Sequence, residues 1–139
     1  MGFHTLMFNA PSEMEAWGRR FARSLKRGDV VALVGELGSG KTTLVRSIAA
    51  AWGYPRGAIS PTFALANEYP TKRGTIYHMD MYRLTTRELA QFPLEDYWGR
   101  GLCIIEWADR VRGRLPASSF EVRLKIAGPE RRTLTLIKK

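Results

Sequence analysis

Gly35-Glu36-Leu37-Gly38-Ser39-Gly40-Lys41-Thr42 begins with a glycine, runs through four spacers and ends in Gly-Lys-Thr. This is the P-loop pattern at every fixed position, and each fixed residue has a separate role on a nucleotide phosphate. Glycines at 35, 38 and 40 admit positive φ and carry no Cβ, so successive backbone N–H groups can curl around an anion. The Lys41 ammonium reaches β- and γ-phosphates as a point charge, and the Thr42 hydroxyl can ligate magnesium. Ser39 and Thr43 fall within the same phosphate-binding stretch. The competing reading is a glycine-rich turn that binds nothing.

The flanks decide between them. Upstream, Val30-Val31-Ala32-Leu33-Val34 is a short β-branched apolar run of the kind buried on both faces of a sheet. Downstream, Thr43 to Trp52 reads as a helix, with Leu44, Ile48 and Trp52 at helical spacing and Gly53 as its stop. Strand, glycine loop and helix in that order aim the free N–H groups and positive dipole end of the helix at a bound phosphate.

Outward from the loop, the chain reads as one α/β domain over residues 1–139, a mixed parallel and antiparallel sheet with helices on its faces. FHTLMF near the start suggests an edge strand. Ser12-x-x-Glu15 suggests a capping box, followed by Met14, Trp17, Phe21 and Leu25 on one helical face ending near Gly28. SPTFALANEYP and TIYHMDMYR flank Thr71-Lys72-Arg73-Gly74 as a hairpin, and a short helix from about Thr86 to Phe92 stops at Pro93. Leu102-Cys103-Ile104-Ile105 is a second buried-strand run. The tail gives strands over Phe120 to Ala127 and Thr133 to Ile137. VVALV and LCII suit central parallel strands, and the hairpins suit antiparallel flanks.

Composition bounds the setting. Hydrophobic residues make up 45% and charged residues 25%, an ordinary balance for a soluble globular chain. No apolar run approaches the ~20 residues of a membrane span, and the N-terminus has no signal-peptide pattern. The one cysteine, Cys103, has no partner for a disulfide, so a reducing cytoplasm is the expected compartment. A net charge of +9 and a pI near 10.2 favour polyanionic partners. The arginines cluster at Arg19, Arg20 and Arg23 with Lys26 and Arg27, at Arg110, Arg112 and Arg114, and at Arg131 and Arg132. Such clusters serve either an anionic partner or a solvated surface.

A P-loop enzyme also needs a carboxylate beside its magnesium, at the C-terminal end of a neighbouring strand. Two acids qualify. Glu106 follows LCII directly, where a carboxylate is costly unless satisfied. Asp80 follows TIYHM, with His78 and Arg83 near enough in sequence to make a structural pair instead. Thr62, in Ser60-Pro61-Thr62, is either a hydroxyl that senses the γ-phosphate or magnesium, as a switch loop does, or a turn initiator. Trp107 reads as core rather than as a nucleotide contact, and His78 as a hairpin hydrogen bonder rather than a catalyst.

GELGSGKTTL, SPTF, HMDMYRL, EDYW and IIEWADRV…LP, taken in that order, resemble the signature blocks of the bacterial TsaE family, also called YjeE. The resemblance runs from about Gly35 to Pro116. It implies an ATPase of the P-loop class, with ATP and Mg2+ as cofactors and magnesium held by Thr42 and Glu106. It implies catalytic roles for Lys41, Glu106, Thr62 as the switch threonine and Asp80 as an acid near the nucleotide. It also implies a place in making threonylcarbamoyladenosine on tRNA, with TsaD and TsaB as partners, tRNA reached through their complex, and activity that depends on those partners. Phe92-Pro93 departs from the family's usual step there, which bears on the adenine side, where residues near Ser12 and Arg131 or Arg132 are candidates.

Other classes fit less well. A small-molecule P-loop kinase needs a lid and an acceptor site, and only Arg110 to Arg114 is left to form a lid. A guanine-reading Asn-Lys-x-Asp is impossible, because neither Asn9 nor Asn67 precedes a lysine. A nucleic-acid binder with a vestigial P-loop has no reason to keep Lys41, Thr42 and Glu106 together.

Overall fold

Strands β2 (Val30–Val34) and β5 (Leu102–Glu106) carry unbroken apolar runs because both their faces are covered, and they pair in parallel at the centre of the sheet. The computed structural model describes residues 2–55 and 66–139. Around this pair lie β1 (Gly2–Phe8), α1 (Pro11–Ser24), α2 (Lys41–Ala51), β3 (Ala66–Thr71), β4 (Gly74–Asp80), α3 (Thr86–Gln91), β6 (Phe120–Ile126) and β7 (Arg132–Lys138), with 3₁₀ turns at Leu94–Tyr97 and Ala108–Arg114. Among the described residues the strands form one sheet in the order β1-β7-β6-β2-β5-β4-β3.

The central parallel pair expected from VVALV and LCII is present, and the parallel block extends further than the hairpin reading implied. β4 pairs in parallel with β5, and β6 in parallel with β2, so each hairpin contributes its inner strand to the core of the sheet. Only β3, β7 and β1 are antiparallel flanks. The reason is visible in β4, where Ile76, Tyr77, His78 and Met79 are all buried, as a strand covered on both faces requires.

Alternation along the strands sorts the core into two layers. Val31, Leu33, Ile76, Leu102, Ile104, Val122 and Leu124 pack against α1 and α2. Val30, Ala32, Tyr77, Met79, Cys103 and Ile105 pack on the other face, under α3 and the two 3₁₀ turns. Burial pushes the Cys103 thiol up to about 12, so it stays protonated and behaves as a small apolar side chain.

Helix α1 differs from expectation at both ends. Pro11 occupies its first turn, and Ala10 before it is extended, as a residue preceding proline prefers. Ser12 therefore falls inside the helix and caps nothing; Glu13 instead accepts from the Asn9 backbone N–H at 2.9 Å. The helix stops at Ser24 rather than near Gly28, because its last carbonyls have other partners. Ala22 O accepts from Trp52 Nε1 at 3.0 Å and from Arg73 at 3.1 Å, and Leu25 O accepts from Arg73 at 2.7 Å. Arg73, read only as a turn residue, thus ties the β3–β4 hairpin to α1 and lies over the Trp52 ring.

The two helices meet at Gly18. A Cβ there would lie 2.8 Å from Ser47 Cβ and 3.0 Å from Leu44 Cδ1 of α2. In an isolated helix Gly→Ala gains about 1 kcal/mol, whereas overpacking a tight contact costs about 1–3 kcal/mol. Packing should win. Gly18→Ala is expected to lower the urea midpoint, by about 1 kcal/mol of stability; a higher midpoint would show that the α1–α2 contact is looser than described.

Candidate active site

Four parallel strands, β4, β5, β2 and β6, end along one edge of the sheet, and the P-loop leaves β2 at that edge. Gly40 takes φ +106° and stands at the N-cap of α2, where it has no side chain to compete with a ligand for the first-turn N–H groups. Gly38 also lies in the left-handed region, at φ +80°. Gly35 does not; it is required by space, since a Cβ there would lie 2.7 Å from Ser39 Oγ and 2.8 Å from Leu124 O. Arg132, at the start of β7, donates twice to Gly38 O, at 3.2 and 3.0 Å, and clamps the outer rim of the loop.

A cavity of about 530 Å³ opens over this loop, a size within the roughly 300–1,000 Å³ of small-ligand sites. Gly38, Gly40, Lys41, Thr42 and Thr43 line one side, and Asp80 and Glu106 the other. Gly35 and Ser39 do not line it; the Ser39 hydroxyl is buried within the loop and has no hydrogen-bond partner among the described residues. Thr62 lies outside the described residues. Leu37, Tyr82, Arg83 and Trp107 also line the cavity, which the sequence did not suggest.

The two carboxylates converge because β4 and β5 run in parallel and in register, with Asp80 opposite Glu106. Asp80 Oδ1 accepts from the Tyr82 N–H at 2.9 Å. Glu106 is buried and pairs through Oε2 with His78 Nε2 at 2.5 Å. His78, weighed with Arg83 as an alternative structural partner for Asp80, pairs with Glu106. The expected hairpin hydrogen bond of His78 is present as well, from Nδ1 to Tyr69 OH of β3 at 2.9 Å.

Lys41 is buried with its ammonium donating to the carbonyls of Gly35 and Glu36 and lying 4.6 Å from the centre of the Trp107 ring. Burial lowers its pKa despite the nearby Glu106 and Asp80. Trp107 packs against the core layer under α3, as the sequence suggests, but it is only part-buried: it also borders the cavity and lies tilted against Tyr82, with ring centroids 4.7 Å apart. Its φ of +56°, uncommon for a bulky residue, turns the chain sharply out of β5 and so presents the ring to the loop.

An oxygen-only donor set of one hydroxyl and two carboxylates beside an anion cradle fits magnesium. Two acids facing a phosphate site repel a phosphate unless a cation stands between them, and their mutual position makes the same point. Burial raises the Asp80 pKa, with the Glu106 charge adding to it. On the far side of the loop a second hollow of about 260 Å³ is lined by Pro11, Met14, Pro129 and Arg132, but not by Ser12.

The arginines after the EWAD block are engaged with the chain itself. Arg110 donates to the carbonyls of Met81, Tyr82 and Leu84; Arg112 pairs with Glu121 at 2.8 Å. Arg114 grips both Glu95 oxygens and also donates to Leu89 O and Phe92 O. Their clustering reflects loop clasps, so reversing them would disturb the β4–α3 segment. Arg19, Arg20 and Arg23 stay exposed on α1. Among the described residues no helix is long and apolar enough to cross a membrane.

A family model described as threonylcarbamoyl adenosine biosynthesis protein TsaE matches residues 8–134. A tRNA threonylcarbamoyladenosine biosynthesis protein TsaE of Bacillus subtilis is 37% identical over 126 residues, covering 90% of this chain and 79% of that protein. Proteins of the same name from Rickettsia bellii, 37% identical over 91% of this chain and 89% of theirs, and from Treponema pallidum, 38% identical over 86% and 90%, are similarly related. The crystal structure of Bacillus subtilis YdiB superposes with a TM-score of 0.83 and 31% identity, over 99% of this chain and 86% of that one.

The Asp80 environment has a measurable consequence without any ligand. A carboxyl whose folded pKa lies above its ordinary 3.8 stabilises the fold fully only below that value, and the contribution is lost as pH rises through the folded pKa. Asp80→Asn, which keeps the acceptor for Tyr82 N–H, is expected to melt higher than the wild type at pH 7. Its advantage should shrink as pH falls toward 3.8. Equal melting temperatures at pH 7 would mean that Asp80 is not crowded by burial and Glu106.

Proposed function

The chain belongs to the TsaE family, and from that premise we propose that it binds and hydrolyses ATP within the machinery that makes threonylcarbamoyladenosine on bacterial tRNA. Hydrolysis would support turnover of the TsaD–TsaB transferase in the cytoplasm, with tRNA met through that complex. The observation that carries the proposal is the convergence of the P-loop, Lys41 and the Asp80–Glu106 pair on one cavity.

Each side has a distinct task. The α2 first-turn amides and the glycine loop bind the phosphates, and the Lys41 ammonium leaves its two loop carbonyls to meet the β- and γ-oxygens. Thr42 and Glu106 would hold magnesium, with Asp80 beside them; the ion's contribution is to neutralise charge on the phosphate oxygens. Trp107 and Tyr82 wall the cavity beside Lys41 and limit water there. With these groups fixed before the reaction, charge developing on the transferred phosphoryl group is stabilised without reorganisation. Water attacks the γ-phosphorus, the bond to the β-phosphate oxygen breaks, and ADP and phosphate leave.

Lys41→Ala is expected to lower kcat/KM for ATP by about 10²-fold or more while the far-UV spectrum and melting curve stay folded. Phosphate release should be measured on the chain alone and then with TsaB and TsaD added, where it is expected to rise. No small-molecule acceptor should be required, which separates hydrolysis from kinase chemistry. A Lys41→Ala chain that binds and hydrolyses ATP like the wild type would end this proposal. Glu106→Gln should reduce magnesium-dependent hydrolysis far more than ATP binding; normal hydrolysis at limiting magnesium would move the metal role to Asp80.

A further inference from the structure

His78 is fully buried in β4 between Tyr77 and Met79. It lines no part of the cavity itself, yet both its ring nitrogens are committed. Nε2 meets Glu106 Oε2 at 2.5 Å and Nδ1 meets Tyr69 OH at 2.9 Å. Register explains the contact. His78 stands opposite Ile104, and Glu106 is two residues further along β5 on the same face, the diagonal position that a long side chain reaches.

A carboxylate only accepts, so Nε2 is the donor toward Glu106. Tyr69, His78 and Glu106 thus form a continuous chain of hydrogen bonds across β3, β4 and β5, with all three residues buried. It occupies one carboxylate oxygen, Oε2, while the Glu106 side chain still lines the cavity. Without His78, a carboxylate at the end of a strand has several rotamers; with it, the carboxylate has one anchored edge.

We propose that His78 is a positioning residue for Glu106: it holds the carboxylate edge-on so that magnesium bound with ATP meets a preset ligand, and Tyr69 anchors the other edge of the His78 ring. This rests on the nucleotide-binding reading of the cavity. His78 touches neither nucleotide nor metal, and it acts only through Glu106. Partners placed this way behind a metal ligand typically change metal affinity or activity by about 10- to 100-fold when removed.

The test compares wild type with His78→Leu, His78→Gln and Tyr69→Phe by calorimetric titration of ATP with and without Mg2+, alongside kcat, KM and the Mg2+ concentration for half-maximal activity. His78→Leu is expected to bind ATP normally without Mg2+ but to lose most of the gain that Mg2+ brings, and its kcat should fall about 10- to 100-fold with little change in KM. His78→Gln, which restores a donor near the Nε2 position, should recover most of the Mg2+ gain. Tyr69→Phe, which removes one hydroxyl and keeps the ring, should show a smaller loss of the same kind, and it serves as the deciding variant if His78→Leu does not fold. A wild-type Mg2+ dependence in folded His78→Leu or Tyr69→Phe would overturn the positioning role. So would a folded His78→Gln as impaired as His78→Leu, which would assign His78 to packing. A wild-type chain that binds no ATP under either condition overturns the nucleotide reading beneath it, a result distinct from the others.

Discussion

Parallel pairing of β2, β5 and β4 stops three separated stretches of chain along one edge of the sheet, and the site depends on that shared edge. The P-loop leaves β2 there, Glu106 ends β5 there, and Asp80 ends β4 there. Their neighbourhood is set by ladder register, with Asp80 opposite Glu106, and so is as rigid as the sheet. A one-residue slip of β4 would turn Asp80 and His78 to the opposite face and place Met79 beside Glu106. The apolar residues that fix the register, Ile76 and Ile104 toward the helices and Met79 and Ile105 away from them, therefore also fix the chemistry.

Electrostatics at this edge set one buried cation, Lys41, against two acids. Lys41 is held down by two loop carbonyls and the Trp107 face, partners that soften its burial without neutralising it. Opposite it, the Glu106 charge adds to the burial of Asp80, and Glu106 pairs with the buried His78. The proposed polyphosphate with a divalent cation would bring negative charge to Lys41 and positive charge to the two carboxylates together.

Much of this was legible in the residues. GELGSGKT between VVALV and an amphipathic run specified loop, strand and helix together, since no other arrangement satisfies both the glycines and the apolar periodicity. Glu106 was legible because a carboxylate abutting LCII needs a reason. His78 was seen as a hydrogen bonder, but its partner Glu106 was not, because the contact is a cross-strand diagonal and register is a property of two strands at once. Trp107 packs on the core as read, but its place on the cavity was not legible for a similar reason: its positive φ leaves no mark in the sequence. The Ser12 cap failed because Pro11 starts the helix two residues earlier than that cap requires, with Ala10 at the N-cap. The cluster Arg110, Arg112 and Arg114 looked like a surface for a partner, yet its guanidinium groups hold carbonyls and acids of this chain, which charge counting cannot distinguish.

The central claim is that loop, lysine and strand-end carboxylates form one metal–nucleotide site. A crystal structure with Mg2+ and a non-hydrolysable ATP analogue tests it most directly. The account predicts phosphates against the backbone N–H groups of the P-loop and the Lys41 ammonium, with magnesium about 2.0–2.1 Å from Thr42 Oγ1. It also predicts Glu106 on the ion, directly or through one water, with its bond to His78 intact. Nucleotide bound away from the P-loop, or magnesium held with Glu106 turned away from it, would contradict the account.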